Sequence, residues 1–289
     1  MGHGGGKKAS TGSVCRPVRL LLRWAKCCDC TRSLGPTSRA ISASDLEVVF
    51  CLRPIMPKPL ALVAVTTAEL VLLDPKLGSA TAPTRSSLTG PLAAACDGTS
   101  VYIASAGGVA KYGRESATHL FSFADDALPV CALAAQDGLV CVARDMLIDV
   151  YQTGMVAPSE TLGGHASPIT SLALSRDGAL LASASRTLHV YDLASSARTI
   201  FRGLPNDSAA CSMVKFHPTR EHTLFSAFGR QLLVHNLLAP DAPVSALQVG
   251  SGSRGDIVDI DCSPFSHSLI AVASAGGLIG IIDLDKEKL

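Results

Sequence analysis

The chain has 289 residues, of which 47% are hydrophobic and 17% are charged, so it can bury a large core and lacks the profile of a disordered protein. Its net charge of +1 excludes a protein that is strongly acidic or strongly basic as a whole. The charge is unevenly spread, and this divides the chain into two parts.

Residues 1–43 form a basic arm. Eight Lys and Arg residues against one acidic residue give the arm +7, which leaves −6 for the rest of the chain. Because the arm is also rich in Gly, Ser and Thr, we expect it to be mostly disordered. Three roles fit this composition: a tail that docks on an acidic partner, a mitochondrial transit peptide, and a segment that adds a strand to the body.

Residues 18–24, VRLLLRW, are the most apolar part of the arm. Basic residues at helical spacing around them predict a short basic amphipathic helix, and a closing strand is the alternative. No run in the chain reaches 18 apolar residues, so we expect no membrane span. We predict an intracellular protein of the cytoplasm or nucleus, with mitochondrial import as the alternative.

The ten cysteines include a CCxC cluster formed by Cys27, Cys28 and Cys30. No second CxxC or HxxxH pair accompanies this cluster, so we predict no metal site. Six other cysteines lie singly in apolar segments, where a thiol behaves as a small hydrophobic group. These six are predicted core residues: Cys51, Cys96, Cys131, Cys141, Cys211 and Cys262.

The body, residues 44–289, consists of repeated units. Asp-Gly pairs beginning at Asp97, Asp137 and Asp177 follow one another at intervals of 40 residues. The residue that closes an apolar strand recurs every 39 to 47 residues, at Asp74, Gly113, Gln152, Asp192, Asn236 and Asp283. Six units are therefore predicted to start near residues 44, 91, 129, 166, 209 and 255.

The fourth unit shows the internal plan most clearly. Apolar or alternating segments predict strands over residues 169–175, 180–185 and 188–193, with a weaker fourth strand over 197–201. An Asp-Gly pair suits the first turn, because Gly accepts a positive φ and Asp tolerates the bend. Four short strands in a repeat of about 40 residues predict an all-β fold, a β-propeller of about six blades.

Residues 163–193, GGHASPITSLALSRDGALLASASRTLHVYDL, resemble the WD-repeat (WD40) family. They match its Gly-His start, its Ser-x-Asp-Gly turn, its Leu-x-x-x-Ser strand and its closing aromatic-Asp pair. The resemblance implies a β-propeller, with weaker copies over residues 44–289. The residues that carry the repeat signature are His165, Asp177, Gly178, Ser183, Tyr191 and Asp192.

The resemblance also implies a polar network within each blade. In the family this network joins a histidine, a strand serine or threonine, an aspartate and a tryptophan. His165, Ser183 and Tyr191 fit three of these places, whereas Arg186 stands near the place of the aspartate. We therefore expect an incomplete network and blades that depend more on apolar packing.

The sixth unit ends directly after its predicted third strand. Its edge strand is missing, although propellers close their ring so that no long edge is exposed. Three explanations stay open: an incomplete seven-bladed ring, a truncated product of a longer protein, and closure by residues 18–24.

Catalytic motifs are weak in this chain. Residues 250–255, GSGSRG, match G-x-G-x-x-G, but a strand rather than a helix is predicted to follow, so we expect no dinucleotide site. No G-x-S-x-G elbow presents a serine on a sharp strand-to-helix turn. We expect a protein that is not an enzyme, uses no cofactor and takes no small-molecule substrate.

Arg144, Arg186 and Arg230 are each predicted in the hairpin between a second and a third strand, so they should share one face with His165. Such arginines can bind carboxylate or phosphate groups, although solvated hairpin residues are the simpler interpretation. We predict a scaffold of a multi-protein complex that binds proteins on its loop faces. The alternative is a nucleic-acid-associated factor, for example in ribosome assembly, whose basic arm contacts phosphates.

Overall fold

The computed structural model describes most of the body. The described residues are 46–51, 62–66, 69–73, 84–87, 91–96, 100–112, 117–123, 128–152, 154–202, 204–205, 210–249, 255–263 and 266–286. The predictions for the basic arm, including its CCxC cluster and residues 18–24, lie outside this part of the chain.

Every regular element within the described ranges is a β-strand, and the strands form six antiparallel sheets, numbered 1 to 6 in chain order. Sheets 1 and 2 contain β1 (Leu46–Cys51), β2 (Leu62–Thr66), β3 (Glu69–Leu73), β4 (Thr84–Ser87), β5 (Pro91–Cys96), β6 (Val101–Ser105), β7 (Gly108–Tyr112) and β8 (Ala117–Ser122). Sheet 3 contains β9 (Val130–Gln136), β10 (Leu139–Arg144), β11 (Leu147–Gln152) and β12 (Glu160–Leu162).

Sheets 4 and 5 contain β13 (Ser171–Leu174), β14 (Leu180–Ala184), β15 (Leu188–Asp192), β16 (Ala197–Phe201), β17 (Cys211–Phe216), β18 (Thr223–Phe228), β19 (Gln231–Asn236) and β20 (Ser245–Gln248). Sheet 6 contains β21 (Ile257–Cys262), β22 (Leu269–Ser274) and β23 (Ile279–Asp283). The predicted all-β architecture of blade-like sheets is confirmed. In the described part of the chain no helix is long and apolar enough to cross a membrane.

Sheet 4 has the four strands predicted for the fourth unit. Its first turn is held by Asp177, whose carboxylate accepts hydrogen bonds from Ser175 Oγ at 2.5 Å and from the Ala179 N–H at 3.1 Å. Gly178 follows with φ +71°, a conformation that a residue with a Cβ rarely adopts. The first hairpin therefore forms at the predicted Asp-Gly pair.

The Asp-Gly pair of sheet 3 forms a tighter turn. Asp137 has φ +44° and Gly138 has φ +86°, between the paired residues Gln136 and Leu139. Two positive φ values in a two-residue loop are the mark of a type I′ turn, whose twist matches that of the flanking strands. The same dipeptide thus starts two different turns in neighbouring sheets.

Apolar side chains fill the spaces between consecutive sheets. Four buried clusters each combine residues of two neighbouring sheets, from sheets 2 and 3 to sheets 5 and 6. Between sheets 3 and 4, for example, Ile148 and Cys141 pack with Leu181 and Tyr191. Cys141, Cys211 and Cys262 are buried as predicted, whereas Cys131 is only half-buried. Burial raises the pKa of the Cys141 thiol to about 12.

Hydrogen bonds join neighbouring sheets in a repeating pattern. The N–H of Ile169 donates to Asp145 O at 2.8 Å, that of Cys211 to Ser185 O at 2.7 Å, and that of Ile257 to Gly229 O at 2.7 Å. Each bond links the second hairpin of one sheet to the beginning of the next sheet. Consecutive sheets therefore lie side by side with their second hairpins at the same end, as the blades of a propeller do.

Sheet 6 differs from the others. It has three strands within the described residues, whereas sheets 1 to 5 have four each. Ile282 of its third strand packs in the buried cluster shared with sheet 5, but Ile279 and Ile281 of the same strand are exposed. The sequence predicts a sixth unit without a fourth strand, and the described residues of sheet 6 contain none.

Candidate functional site

The three predicted arginines lie where the second strand of a sheet turns into the third. Arg144 is the last residue of β10, Arg186 lies in the turn between β14 and β15, and Arg230 directly precedes β19. The hydrogen bonds between sheets place these turns at the same end of three consecutive sheets. We call this end, formed by the second hairpins of sheets 3 to 5, the hairpin face.

Arg144 is directed at its own sheet. Its guanidinium forms an ion pair with the buried carboxylate of Asp149, which also accepts a hydrogen bond from Thr161 Oγ1 at 2.8 Å. The guanidinium lies 5.2 Å from the centroid of the Phe123 ring, a cation–π distance. Because a buried carboxylate needs a partner, the main role of Arg144 is within sheet 3.

Arg186 and Arg230 occupy different positions in their hairpins. Arg186 is exposed, and its backbone N–H donates to Ser167 Oγ at 3.3 Å. Arg230 is half-buried, and its carbonyl oxygen accepts from the Val249 N–H at 3.0 Å. Of the three predicted arginines, Arg186 is therefore the one that projects most freely from the hairpin face.

Apolar side chains are also exposed on the hairpin face, around the second hairpin of sheet 3. Met146 and Leu147 are 39% and 49% exposed, and Leu128, two residues before β9, is 53% exposed. The pairing of Val130 with Arg144 brings Leu128 to the same end of the sheet. The sequence gives little sign of this patch, because single apolar residues beside turns look like ordinary strand ends.

His165 lies beneath the hairpin face, with only 7% of its surface exposed. Its Nε2 is 2.6 Å from Ser183 Oγ, and its Nδ1 is 2.8 Å from Ser185 Oγ and 3.1 Å from Thr187 Oγ1. The pairing of His165 with Ser183 agrees with the predicted network. Arg186 is next to Ser185 and Thr187 in the sequence, yet the described hydrogen-bond partners of the His165 ring are all hydroxyl groups.

His189 is the member of the network that the sequence did not indicate. Its ring stacks on that of His165 with centroids 4.0 Å apart, and its Nδ1 is 3.4 Å from the Tyr191 hydroxyl. Tyr191 donates from that hydroxyl to Gly163 O at 3.1 Å. The sequence could have indicated this contact, because His189 and Tyr191 are two residues apart in a strand and such residues share a face.

The two stacked imidazoles are neutral at pH 7. Burial, together with neighbouring His189 and Arg198, lowers the pKa of His165 to about 3. Burial also lowers the pKa of His189 to about 4, again with help from Arg198. Desolvation disfavours the charged form of a base, so these histidines act as hydrogen-bonding core residues.

The repeat-signature residue Asp192 stabilises a turn at the opposite end of sheet 4. Its Oδ1 accepts from the Ala194 N–H at 2.9 Å, and its Oδ2 accepts from Ser195 Oγ at 2.9 Å. The bond from Ala194 and the bond from Ser195 hold the pKa of Asp192 below its usual range. Asp192 therefore resembles Asp177 in function, since each carboxylate closes a hairpin.

Sheet 5 has a related pair in the corresponding position. Leu224 pairs with His235 as Leu181 pairs with Tyr191, so His235 takes the place of the tyrosine. Its Nε2 lies 2.7 Å from the buried Ser226 Oγ, and burial lowers its pKa to about 4. A serine of the second strand thus contacts a histidine ring in this sheet too.

Two chemical alternatives can be examined in the structure. Among the described residues no group of three or more His, Cys, Asp or Glu side chains could hold a metal ion. Strand β21 begins at Ile257, directly after the GSGSRG segment and Asp256. The helix that would hold a pyrophosphate is therefore replaced by a strand, as the sequence predicts.

No protein-family model and no curated protein matches this chain. The WD-repeat resemblance therefore rests on the motif of residues 163–193 alone.

Proposed function

We propose that this protein is a non-enzymatic interaction scaffold that binds partner proteins through the hairpin face. The observation that carries the proposal is the group of exposed apolar side chains Leu128, Met146 and Leu147 on the same face as exposed Arg186. Methionine and arginine are enriched where proteins meet, and clustered exposed apolar residues mark interaction sites. A partner with apolar side chains beside a carboxylate would match this chemistry.

Hydrogen bonds between sheets hold the backbone of the hairpin face in place. Asp145 O and Ser185 O each accept a hydrogen bond from the first strand region of the next sheet, at 2.8 and 2.7 Å. The turns are therefore tied to two sheets rather than one. A surface that is already ordered loses less conformational entropy on association, which favours recognition.

The polar network of sheet 4 favours the scaffold proposal over the alternative of a hydrolase activity. A serine close to a histidine is the beginning of a nucleophile and base pair, and His165 is 2.6 Å from Ser183. However, Ser183 and Ser185 are fully buried, and the low pKa of His165 makes its imidazole a poor base. The network has the properties of a satisfied polar core.

The experiment is affinity purification of the full chain with partner identification by mass spectrometry. We expect the variant with Met146→Glu and Leu147→Glu to lose the partners that the wild type retains. Val156→Glu is the matched control, because Val156 is 78% exposed in the turn between β11 and β12 at the opposite end of sheet 3. Equal recovery of partners by both variants, each with a wild-type urea midpoint, would overturn the proposal.

Nucleic-acid binding is a second candidate, favoured by the +7 charge of residues 1–43. Contacts between Lys or Arg and phosphates release counterions, so affinity for RNA should fall steeply as salt increases. Deleting residues 1–43 should abolish binding to a labelled RNA duplex in a filter or anisotropy assay. Binding that persists without the arm, or that ignores salt, would rule out this mode.

A further inference from the structure

The connection between sheets 3 and 4 carries a Ser-Pro dipeptide at the hairpin face. Residues 163–170 join β12 to β13 and contain no regular element. Within this connection Ala166 and Pro168 are exposed, and Ser167 is half-buried. These three residues form no backbone–backbone hydrogen bond within the described part of the chain, whereas Ile169 directly after them is bonded to sheet 3. The dipeptide therefore lies on an accessible and loosely held part of the connection.

The hydroxyl of Ser167 lies beside Arg186 of the second hairpin of sheet 4. The Arg186 N–H donates to Ser167 Oγ at 3.3 Å, which is long for a hydrogen bond, so the bond is weak. The Arg186 side chain is exposed, and none of the ion pairs among the described residues includes it. A group attached to Ser167 Oγ would therefore find a backbone N–H and an uncommitted guanidinium in the same residue.

The Ser-Pro dipeptide also adjoins the exposed apolar side chains of the hairpin face. Ile169, two residues after Ser167, donates from its N–H to Asp145 O at 2.8 Å. Asp145 directly precedes Met146, one of the exposed apolar residues that carry the proposed binding surface. A charge added at Ser167 would therefore lie between these apolar side chains and Arg186.

We infer that Ser167 is the acceptor of a proline-directed protein kinase and that its phosphate regulates the hairpin face. Proline lacks an N–H, so a kinase pocket that leaves this group of other residues unsatisfied selects Ser-Pro. In the transfer, Ser167 Oγ attacks the γ-phosphorus of ATP, the bond from this phosphorus to the β,γ-bridging oxygen breaks, and ADP leaves. The hydroxyl proton passes to the catalytic aspartate of the kinase. The phosphate adds a charge of about −1.5 to −2 at pH 7.

The hairpin has the chemistry to hold a phosphate on Ser167. The Arg186 N–H already donates to the Ser167 oxygen, and a guanidinium can form paired hydrogen bonds with phosphate oxygens. The WD-repeat resemblance implies an aspartate near the position of Arg186, and a carboxylate there would repel a phosphate instead. The arginine, which departs from the family pattern, is thus the residue that suits this modification.

The regulatory part of this inference rests on the proposed binding of partners by the hairpin face. Arg186 is the exposed cation that a partner carboxylate would contact, and a phosphate on Ser167 would occupy it. The negative charge that remains would repel the partner carboxylate and would lie beside Met146, where the partner needs an apolar surface. Phosphorylation should therefore weaken partner binding.

Phosphorylation is tested on the full chain with a purified mitogen-activated protein kinase, ATP and peptide mapping by mass spectrometry. We expect phosphate at Ser167 in the wild type and roughly tenfold slower incorporation there in Pro168→Ala. Pro158→Ala removes another exposed proline and should keep the wild-type rate. Ser263, which also precedes a proline, lies in a separate peptide and is counted apart. No phosphate at Ser167 in the wild type, or equal rates in Pro168→Ala and wild type, would overturn the inference.

Phosphorus NMR tests the contact with Arg186 in the phosphorylated chain, and the signal is assigned by its loss in Ser167→Ala. The second pKa of phosphoserine, about 6, should be lower by about half a unit to one unit than in a phosphopeptide of residues 161–173. Arg186→Gln should restore the peptide value. Arg176→Gln removes an exposed cation from the first turn of the same sheet and should not. The same pKa in Arg186→Gln and wild type would overturn the contact.

Affinity purification with the phosphorylated chain tests the regulatory consequence. Partners of the untreated wild type should be recovered roughly tenfold less by the kinase-treated wild type, whereas kinase-treated Ser167→Ala should recover them fully. Undiminished recovery by the phosphorylated chain would overturn the regulation. The kinase and NMR assays involve no partner, so their failure contradicts this inference alone. Retention of partners by the variant with Met146→Glu and Leu147→Glu contradicts the proposed function instead.

Discussion

Lowering the pH from 7 to 5 should destabilise this protein through its buried histidines. His165 and His189 are stacked at 4.0 Å, and His235 is buried in the next sheet. Their pKa values are lowered to about 3, 4 and 4. At pH 5 these rings stay neutral in the folded protein, whereas they bind protons in the unfolded chain, where the pKa of histidine is about 6.5.

The sign and size of the effect follow from these pKa values. Above about pH 6.5 the histidines are neutral in both states, so their contribution to the free energy of unfolding is constant. As the pH falls below 6.5 the unfolded chain gains protons first, and stability decreases until each folded pKa is reached. One pKa unit corresponds to about 1.4 kcal/mol, so each histidine should cost about 1 to 2 kcal/mol between pH 7 and 5 after allowance for solvent screening.

Urea unfolding at pH 7, 6 and 5 would measure this loss for the wild type and for His189→Phe. The phenylalanine ring can still stack on His165 but cannot titrate, so the loss in the variant should be smaller by about 1 to 2 kcal/mol. His119→Gln removes an exposed histidine and serves as the control for losing one imidazole. A His189→Phe variant with the full wild-type pH dependence would refute this reasoning.

Three further predictions concern stability. Arg144→Leu leaves the carboxylate of Asp149 buried without its cation and should lower the free energy of unfolding by about 3 kcal/mol, measured in urea. Adding Asp149→Leu should recover most of this loss, and a double variant without recovery would contradict the role of the ion pair. Ser212→Ala removes the 2.6 Å bond from Ser212 Oγ to Ile257 O in the next sheet and should cost about 1 kcal/mol, which an unchanged unfolding midpoint would refute. Gly138→Ala places a Cβ at φ +86° and should lower the melting temperature through about 1 kcal/mol of strain, so an unchanged melting temperature would contradict this reasoning.

The sequence predicted the strands well because their signals are local. The alternation and apolar runs of residues 169–201 predicted β13 to β16 within two residues, and the Asp-Gly pairs predicted the turns at Gly138 and Gly178. Period-two patterning and turn chemistry depend only on residues that are close in the sequence, so both can be recognised from the sequence alone.

The candidate site was predicted less completely, because its properties depend on side-chain direction. The three arginines share a hairpin position in the sequence, yet Arg144 pairs with Asp149 while Arg186 is exposed. Arg144 is the last residue of β10, whereas Arg186 lies in the turn two residues beyond the end of β14, so the two side chains leave the backbone in different surroundings. No local pattern indicates which of several neighbouring arginines will meet a buried carboxylate.

The sequence by itself determined the all-β class, the repeat of about 40 residues and the signature around His165, since each depends on spacing along the chain. Only the tertiary structure decided that His189 stacks on His165, that the second hairpins bond to the next sheet, and that Ile279 and Ile281 are uncovered. These features join residues of different strands or sheets. Their geometry follows from how the sheets pack, which the one-dimensional pattern constrains but does not specify.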